Sequence, residues 1–364
     1  MKFIHIADLH LGAKPDAGSA YSARREREIW DSFRDIIDIC NQKKMDLLLI
    51  AGDIFHRQPL LREIKEVNYL FSTIPDTQIV LTAGNHDYMK KDSYYRTFIW
   101  ADNVQMIKTG LLSYVEIPSL KTAVYGLSYV TREIPDARYD VAVPQHKQKY
   151  EILLAHGGDE KHIPIHKQKI LQSGFDYIAL GHIHHPQTLR GSDGRAAYSG
   201  SPIAVGFDER YQHGVVIVDL EKGKPVEARA IGINGPRPLV TLPSQPAAFD
   251  DALAAAREFP ADRKAYIRLN VLLDKPLPSD YNEQVAKALE GKACRYCTIN
   301  VTDRRRSARA NALPDVTPEQ LRQMTVGEVA ARFFAAKGIP EKESADYLAM
   351  ISGIEKEIEE ENAL

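Results

Sequence analysis

The first half of the chain alternates short apolar runs with longer amphipathic segments, and each apolar run ends in polar residues. The apolar runs predict strands over residues 2–7, 47–51, 78–82, 151–155 and 177–180. Apolar residues at helical spacing predict helices over residues 22–43, 60–72 and 165–173. Strands that alternate with helices are typical of a layered α/β domain.

The pattern changes after residue 196, where strands follow one another without helices. They are predicted over residues 197–199, 215–220 and 226–231, and we expect them to close the domain as an edge of strand pairing. Pro236, Pro238, Pro243 and Pro246 then predict a linker, because proline continues neither a helix nor a strand ladder. The α/β domain is therefore assigned to residues 1–235.

A smaller unit is predicted beyond the linker, at residues 240–312. Its helices are expected over residues 247–258 and 281–289, and its strands over 266–273 and 295–301. This order predicts an α+β cap. The cap ends in Arg304, Arg305, Arg306 and Arg309, which either bind phosphates or form a solvated surface, and the sequence favours neither.

The last segment, residues 315–364, is predicted to be a helical tail. It contains eleven acidic and five basic residues, and Thr317-Pro318-Glu319-Gln320 is typical of a helix start. The last helix carries an apolar stripe of Tyr347, Ile351, Ile354 and Ile358. The stripe either folds back on the cap or docks on a partner protein, and the separate charge of the tail favours docking.

Composition narrows the class of protein. With 364 residues, 44% of them hydrophobic and 26% charged, the chain is neither disordered throughout nor a multispanning membrane protein. A formal charge of −2 argues against a surface coated with basic residues, so contact with nucleic acid must be local. No apolar run reaches the roughly 18 residues of a membrane span, and the start does not resemble a signal peptide.

Cysteine usage fits a reducing compartment. Cys40, Cys294 and Cys297 are too few for a disulfide framework. The pair Cys294 and Cys297 has the spacing of metal ligands, but a structural zinc site needs four ligands, so a zinc site is disfavoured. We therefore expect a cytoplasmic protein that does not bind a membrane.

Residues with catalytic chemistry follow five of the predicted strands. Because the carboxyl ends of strands in an open α/β sheet meet at one crevice, we expect these loops to converge. Imidazole, carboxylate and amide ligands suit a divalent ion such as manganese, iron or zinc, and the set is too large for one ion. Two ions would share one carboxylate, for which Asp53 is the natural choice, and would activate a water molecule. The residues concerned are Asp8, His10, Asp53, Asn85, His86, Asp87, His156, His182 and His184.

The series D-x-H, G-D, G-N-H-D, H and G-H-x-H resembles the calcineurin-like metallophosphoesterase superfamily over residues 1 to about 206. The resemblance implies a two-sheet layered domain with helices outside, which carries the α+β cap and the helical tail. It also implies a first metal site of Asp8, His10, Asp53 and His184, and a second of Asp53, Asn85, His156 and His182. His86 would bind no metal and would stabilise and protonate the leaving oxygen, with Asp87 as a candidate for its orienting partner.

The segments IHIADLHLG, AGDIFH, GNHD, LGHIHHPQ and YSGSP resemble the SbcD-type DNA repair nucleases more narrowly. This resemblance implies two divalent ions, with Mn²⁺ expected, and exonuclease and endonuclease activity in double-strand-break repair. It further implies that His56 lies close to the scissile phosphate and that the partners are DNA and an SbcC-type coiled-coil ATPase. The oligomeric state stays open, with a homodimer among the alternatives. Four cations beside the metal-binding loops are the best candidates for DNA contacts: Lys14, Arg57, Lys90 and Lys91.

Two other functions remain as alternatives. A small-substrate phosphoesterase, such as a cyclic-nucleotide phosphodiesterase or a phosphoprotein phosphatase, would share the ligands but would not need the cap and tail. A non-catalytic scaffold is the other alternative, but it would have no need to keep metal-binding residues, whose burial costs free energy. His162, His166 and His185 flank the motifs, and we expect them to support the ligands or to lie on the surface.

Overall fold

Apolar runs at the predicted positions form the strands of two large sheets. A computed structural model describes residues 1–16, 21–233, 237–273, 275–303, 324–336, 339–340 and 344–353. The chain divides into two compact units. The first contains residues 1–241, 260–268 and 291–298, and the second contains residues 242–259, 269–290 and 299–364.

Within the described part of the first unit, twelve strands form two six-stranded sheets. The strands of the first sheet are β1 (Lys2–Ile6), β2 (Leu47–Ala51), β3 (Gln78–Thr82), β4 (Val104–Met106), β11 (Val215–Asp219) and β12 (Glu227–Ile231). The strands of the second are β5 (Ser113–Ile117), β6 (Thr122–Gly126), β7 (Tyr150–His156), β8 (Tyr177–Gly181), β9 (Gln187–Thr188) and β10 (Ala196–Tyr198). Three helices accompany them, α1 (Ser22–Gln42), α2 (Leu61–Ser72) and α3 (Lys167–Gln172).

Both sheets are parallel at their centres, the second is antiparallel at both edges, and the first is antiparallel only at the edge formed by β11 and β12. The first has the order β12-β11-β1-β2-β3-β4, in which β1 to β4 are parallel. The second has the order β5-β6-β7-β8-β10-β9, in which β6, β7, β8 and β10 are parallel. Parallel strands are covered on both faces, which explains why their sequences are continuous apolar runs. The carboxyl ends of β1, β2, β3, β7 and β8 carry the predicted site residues.

Alternate residues of each strand enter different layers. Ile4 and Ile6 of β1 pack with Ile29 and Phe33 of α1 in the outer core. Phe3, which points to the opposite face of β1, packs with residues of β2, β7 and β8 in the core between the sheets. A third apolar cluster covers the outer face of the second sheet. These layers confirm the predicted fold class of two sheets with helices outside.

The structure also corrects the predicted edge of the first unit. β11 and β12 extend the first sheet beside β1, as pure strand pairing predicts. β10, however, lies in the second sheet and pairs in parallel with β8, so the three late strands do not form one edge. Four strands, β4, β5, β6 and β9, were not predicted from the sequence.

The second unit includes helices α4 (Phe249–Glu258) and α5 (Tyr281–Ala288). A three-stranded sheet of order β13-β14-β15 has residues in both units, and its strands are β13 (Leu239–Ala247), β14 (Tyr266–Leu273) and β15 (Arg295–Asp303). The predicted linker is therefore wrong over residues 239–247, where Pro243 and Pro246 lie within β13. Because β13 is an edge strand, one side of its backbone needs no ladder partner and tolerates proline.

The tail is helical where the structure describes it. Helix α6 covers Val326–Ala336, and residues 344–353 are also helical. The predicted helix start at Thr317, the stripe residues Ile354 and Ile358, and the arginines 304–306 and 309 lie outside the described residues. None of the described helices combines the length and the apolar character that crossing a membrane requires.

Candidate metal centre

All seven predicted metal ligands meet at the carboxyl ends of the central strands. Asp8 and His10 follow β1, Asp53 follows β2 and Asn85 follows β3. His156 ends β7, and His182 and His184 follow β8. The ligand from β1 is fixed to the loop after β8, because Asp8 Oδ2 accepts a hydrogen bond from the His182 backbone at 2.9 Å. Residues more than 170 positions apart thus form one cluster.

The first group of donors consists of Asp8, His10 and His184, with Asp53 beside it. His10 Nε2 and His184 Nε2 lie 3.0 Å apart, and Asp53 Oδ2 lies 3.9 Å from His10 Nε2. His184 Nδ1 donates to Glu209 Oε1 at 2.5 Å, which leaves a lone pair on its Nε2. Neighbouring nitrogen lone pairs repel one another unless a cation or a proton lies between them. The donor set therefore fits a divalent ion.

The second group consists of Asp53, Asn85, His156 and His182. His156 Nδ1 donates to the Ala51 carbonyl at 2.8 Å, so its Nε2 faces Asn85 Oδ1 at 2.9 Å and Asp53 Oδ2 at 3.4 Å. His182 Nδ1 lies 3.2 Å from Asn85 Oδ1. Asp53 Oδ2 is close to imidazoles of both groups, which is the position that a bridging carboxylate requires.

Backbone conformation and close packing hold the ligands in place. Asp8, His10 and Asp53 have φ values of 54°, 49° and 51°, in the left-handed region that non-glycine residues rarely adopt. Such strain concentrates at functional sites. A Cβ atom at Gly52 would lie 2.4 Å from His156 Nδ1, and one at Gly84 would lie 2.2 Å from Asp53 Oδ1. The glycines of the G-D and G-N-H-D motifs are therefore needed for the ligands to approach.

The buried carboxylates have different pKa values. Burial raises the pKa of Asp8 to about 6. Burial acts in the same direction on Asp53, but its contacts with His156 and the charge of His10 hold the pKa of Asp53 below the ordinary range. Asp53 is therefore the carboxylate that stays ionised most firmly, as a residue shared between two cations must.

The pKa values of the buried imidazoles also differ from one another. Burial lowers the pKa of His10 well below its usual value, so this ring is neutral and able to bind a metal. Burial also disfavours the charged form of His156, yet the adjacent Asp53 and Asp8 carboxylates raise its pKa to about 9. When a metal ion binds beside Asp53, the His156 ring must therefore release the proton that it carries in the metal-free protein.

His86 and His56 form the open side of the site with His10. The ring centroid of His10 lies 4.7 Å from that of His86 and 5.3 Å from that of His56. His86 Nδ1 donates to the His56 carbonyl at 2.9 Å, and the His86 backbone N–H donates to Asp53 Oδ1 at 2.9 Å. With Nδ1 engaged, Nε2 is the atom of His86 that can exchange a proton with a substrate.

Asp87 has a different environment from the one expected of an orienting partner for His86. Its Oδ1 accepts from the Gly84 backbone at 2.8 Å, and its Oδ2 accepts from the Tyr95 hydroxyl at 2.9 Å and the Phe55 backbone at 3.2 Å. Burial raises the pKa of Asp87 to about 7. The geometry makes Asp87 a residue that ties the loops after β2 and β3 together.

Of the four predicted DNA-binding cations, Arg57 alone lines the cavity beside His56 and His86. Arg57 lines a cavity of about 220 Å³ with His56, His86 and Arg132, and it pairs with Glu63 at 2.7 Å. Lys14 pairs with Glu26, Lys90 pairs with Asp92, and Lys91 is exposed. Arg132, which was not predicted from the sequence, adds a second guanidinium to this cavity.

Two carboxylates that support the ligands were also missed. Asp159 Oδ2 accepts from His182 Nε2 at 2.6 Å, and Glu209 holds His184 in the same way. Carboxylates that hold the outer nitrogen of a metal-binding histidine fix its orientation. Asp159 lies three residues after His156, a local signal that could have found it. Glu209 lies 25 residues after His184, in a loop without a recognisable pattern.

The histidines that flank the motifs have mixed environments. His162 Nδ1 contacts Asp159 at 2.9 Å and therefore supports the same carboxylate as His182. His166 pairs with Asp140 at 2.6 Å on the surface. His185 packs against Tyr211.

Comparisons with known proteins agree with this geometry. Residues 1–186 match the sequence profile described as calcineurin-like phosphoesterase, and residues 235–338 match one described as type 5 capsule protein repressor C-terminal domain. The DNA double-strand break repair protein Mre11 of Saccharolobus solfataricus is 28% identical over 66% of this chain and 66% of its own length.

Two further relatives extend the comparison. An uncharacterised metallophosphoesterase, YhaO of Bacillus subtilis, is 27% identical over 61% of this chain and 58% of its own length. An SbcCD nuclease subunit of Rhodobacter capsulatus is 26% identical over 88% of this chain and 93% of its own length. The chain thus spans less than two thirds of Mre11 and YhaO, but most of the SbcCD subunit.

Proposed function

Because the chain belongs to the calcineurin-like phosphoesterase family of metal-dependent phosphoester hydrolases, we propose that it is a DNA phosphodiesterase with two divalent ions, preferably Mn²⁺. The observation that carries this proposal is the convergence of two donor groups on one carboxylate. His10 Nε2 lies 3.9 Å and His156 Nε2 lies 3.4 Å from the same Asp53 oxygen. Two ions held on one carboxylate would neutralise the charge of a phosphodiester and position it for attack by water.

The residues of the chain have distinct roles in this proposal. Asp8, His10 and His184 hold one ion, Asn85, His156 and His182 hold the other, and Asp53 holds both. When bound, the ions neutralise phosphate charge and activate the attacking water. Glu209 and Asp159 keep the outer nitrogens of His184 and His182 protonated, so that the inner nitrogens present lone pairs.

His86 is the proposed proton donor to the leaving oxygen. Its Nδ1 donates to the backbone, so its Nε2 can hold and deliver the proton. His56, whose ring lies 5.1 Å from that of His86, is proposed to contact the scissile phosphate. Arg57, which pairs with Glu63, and Arg132 line the adjacent cavity and are proposed to contact the phosphates of the leaving strand.

We propose DNA as the substrate because the chain matches an SbcCD nuclease subunit over 88% of its length, which includes the cap and part of the tail. We further propose exonuclease and endonuclease activity in DNA double-strand-break repair, in the cytoplasm. The organisation proposed is a nuclease domain at residues 1–235, a DNA-binding cap at 240–312 and a tail at 315–364 that binds an SbcC-type coiled-coil ATPase.

The decisive assay uses the full chain with Mn²⁺ on linear duplex DNA, single-stranded DNA and a chromogenic phosphodiester. We expect cleavage of DNA that stops on addition of EDTA. Hydrolysis of a cyclic nucleotide or a phosphoprotein with no cleavage of DNA would assign the small-substrate function instead. Absence of all these activities in protein that binds Mn²⁺ would favour the scaffold.

Crystals soaked in Mn²⁺ should show two anomalous peaks on either side of Asp53. Two ions that share a carboxylate and clamp one phosphate lie about 3.5–4 Å apart. Anomalous scattering measured at the manganese edge gives both the number of peaks and their separation. A single peak, or peaks away from Asp53, would contradict the two-metal site.

Removal of the tail by ending the chain after Leu313 should weaken binding to an SbcC-type coiled coil by orders of magnitude. Phe334 and Tyr347 pack together at 5.7 Å, while Phe333 and Met350 stay 46% and 69% exposed. Each large apolar side chain that a partner buries contributes roughly 1.5–3 kcal/mol. Titration calorimetry of the coiled coil with the full and shortened chains measures the loss.

The same shortened chain provides the control for this prediction. The metal ligands all precede residue 185, so its hydrolysis of a small phosphodiester should stay within about twofold of the full chain. Loss of that hydrolysis would show that the tail belongs to the catalytic fold. Unchanged binding of the coiled coil would place the partner surface elsewhere.

A further inference from the structure

A cavity of about 270 Å³ is lined by the rings of His185, Tyr211 and His213, in the loops that also contain the ligand His184 and the carboxylate Glu209. Its position follows from the chain, because His185 directly follows the predicted ligand His184. Tyr211 and His213 lie two and four residues after Glu209, the carboxylate that holds His184 Nδ1 at 2.5 Å. The cavity is therefore built on the same two loops that orient this ligand.

The rings form a continuous surface. His185 meets Tyr211 edge to face at 4.6 Å, with 88° between the rings. Tyr211 and His213 lie 4.8 Å apart, with 35° between them. His213 is fixed in turn, since its Nδ1 lies 3.0 Å from the Ser201 carbonyl. Tyr211 is half-buried and is the ring that both neighbours hold in place.

The lining suits a flat, uncharged group. Pro186 and Ile231 supply apolar walls, and Gln212 supplies an exposed amide, while Lys, Arg, Asp and Glu are absent from the lining within the described part of the chain. A phosphate would find no cation there. Ligand pockets measure about 300–1,000 Å³, so a cavity of this size takes one ring system rather than a whole nucleotide. A nucleobase presents the π-face that aromatic side chains bind by stacking.

The His10 ring lies between His86, the proposed proton donor, and His184, the residue that directly precedes His185 of the cavity. The His10 ring contacts His86 at 4.7 Å and His184 at 4.9 Å. Across the described residues no ring contact joins His86 to His184. If His86 protonates the leaving oxygen, the leaving group lies on the His86 side. The group that keeps the phosphate would then lie on the His184 side, where the chain continues through His185 into the lining of the aromatic cavity.

We propose that this cavity binds the base of the nucleotide that keeps the phosphate, by stacking against Tyr211. The inference rests on the proposed phosphodiesterase function and adds a base subsite to it. It makes Tyr211 a residue that determines which side of the scissile bond must carry a base. Gln212 is placed to contact the edge of that base.

Simple substrates test the subsite directly. Thymidine 5′-(p-nitrophenyl phosphate) and the corresponding 3′ ester carry the base only on the group that keeps the phosphate. The full chain with Mn²⁺ should prefer one of these esters over its abasic deoxyribose counterpart by about 5- to 100-fold in kcat/KM, the range that base stacking supplies. A preference near one for both isomers would overturn the proposal.

Variants connect the preference to the ring. Tyr211→Leu should reduce the preference for the base to near one, whereas Tyr211→Phe, which keeps the stacking face, should retain it. Tyr69→Leu alters a tyrosine that is 67% exposed on α2 and should also retain it. Because the readout is a ratio between two substrates, a general loss of folded enzyme does not change it. A Tyr211→Leu variant that keeps the full preference would contradict the proposal.

A binding measurement separates this inference from the proposed function. The 3′- and 5′-monophosphates of 2-aminopurine deoxyriboside lose fluorescence when the base stacks. In EDTA, the full chain should quench one of them, and Tyr211→Leu should quench neither. Quenching without hydrolysis of any ester or DNA would retain the subsite and reject the phosphodiesterase. Hydrolysis without quenching and without base preference would retain the phosphodiesterase and reject the base subsite.

Discussion

Replacing His86 by alanine should lower the turnover of a small phosphodiester by about 100- to 10,000-fold, the contribution of general acid catalysis. His86 Nδ1 is engaged by the His56 carbonyl at 2.9 Å, and the ring contacts His10 without belonging to the proposed ligand set. The side chain can therefore be removed without removing a ligand. Metal analysis should still find two Mn²⁺ ions in each chain.

The contact that holds Asp53 should survive in this variant, because Asp53 Oδ1 accepts from the backbone N–H of residue 86 and not from its side chain. His166→Ala is the matched control, since His166 is a surface histidine paired with Asp140. Its turnover should equal that of the parent. A fall in metal content together with the rate in His86→Ala would make His86 a ligand, and near-parental turnover would assign the proton to another group.

The site was predictable because short polar motifs are in phase with strands. Local sequence placed Asp53 and His182 at strand ends, β2 in the first sheet and β8 in the second, and the packing of the two sheets brings both ends to one crevice. The carboxylate Glu209, which holds the ligand His184, is not marked by a motif at the end of a strand. Glu209 contacts His184 through a loop whose course depends on the whole second half of the first unit, and no periodicity specifies it.

Strand prediction succeeded where apolar runs are long and buried and failed elsewhere. β4 has three residues, and β5 is only partly buried, so neither shows a clear apolar run. β6 is fully buried but contains Thr122, Gly126 and two small or aromatic residues instead of a leucine-rich run. β13 contains two prolines, which argue against a central strand but are tolerated in an edge strand. Its position at a sheet edge is a tertiary fact that the sequence does not state.

The role predicted for Asp87 shows that a neighbouring position in the sequence does not establish a contact between side chains. Its place after His86 suggested an orienting role, yet consecutive residues in a loop point in different directions. Its carboxylate meets two backbone N–H groups and the Tyr95 hydroxyl instead. The sequence identified a residue with a specific buried role but not the partner that it holds.

Asp53→Asn should remove bound metal and lower phosphodiester turnover by more than about 1,000-fold, because the shared carboxylate carries the negative charge that both ions need. The amide keeps the shape of the side chain, so the N–H of His86 still finds an oxygen acceptor. Plasma emission spectrometry on protein dialysed against Mn²⁺ should give two ions for the parent and fewer than one for the variant. Asp176→Asn, at the amino end of β8 and paired with Lys222, is the matched control and should keep both ions.

A second readout in metal-free protein shows whether the charge itself is responsible. Burial disfavours protonation of His156, and Asp53 and Asp8 together raise its pKa to about 9. Loss of the Asp53 charge should therefore lower the pKa of His156, so that the ring gives up its proton at a lower pH than in the parent. NMR titration of the His156 ring in EDTA measures this shift. An unchanged pKa would contradict the charge coupling between Asp53 and His156. Full metal content in Asp53→Asn would show that Asp53 is not the shared ligand, and Asp8 would then be the remaining carboxylate of the proposed ligand set.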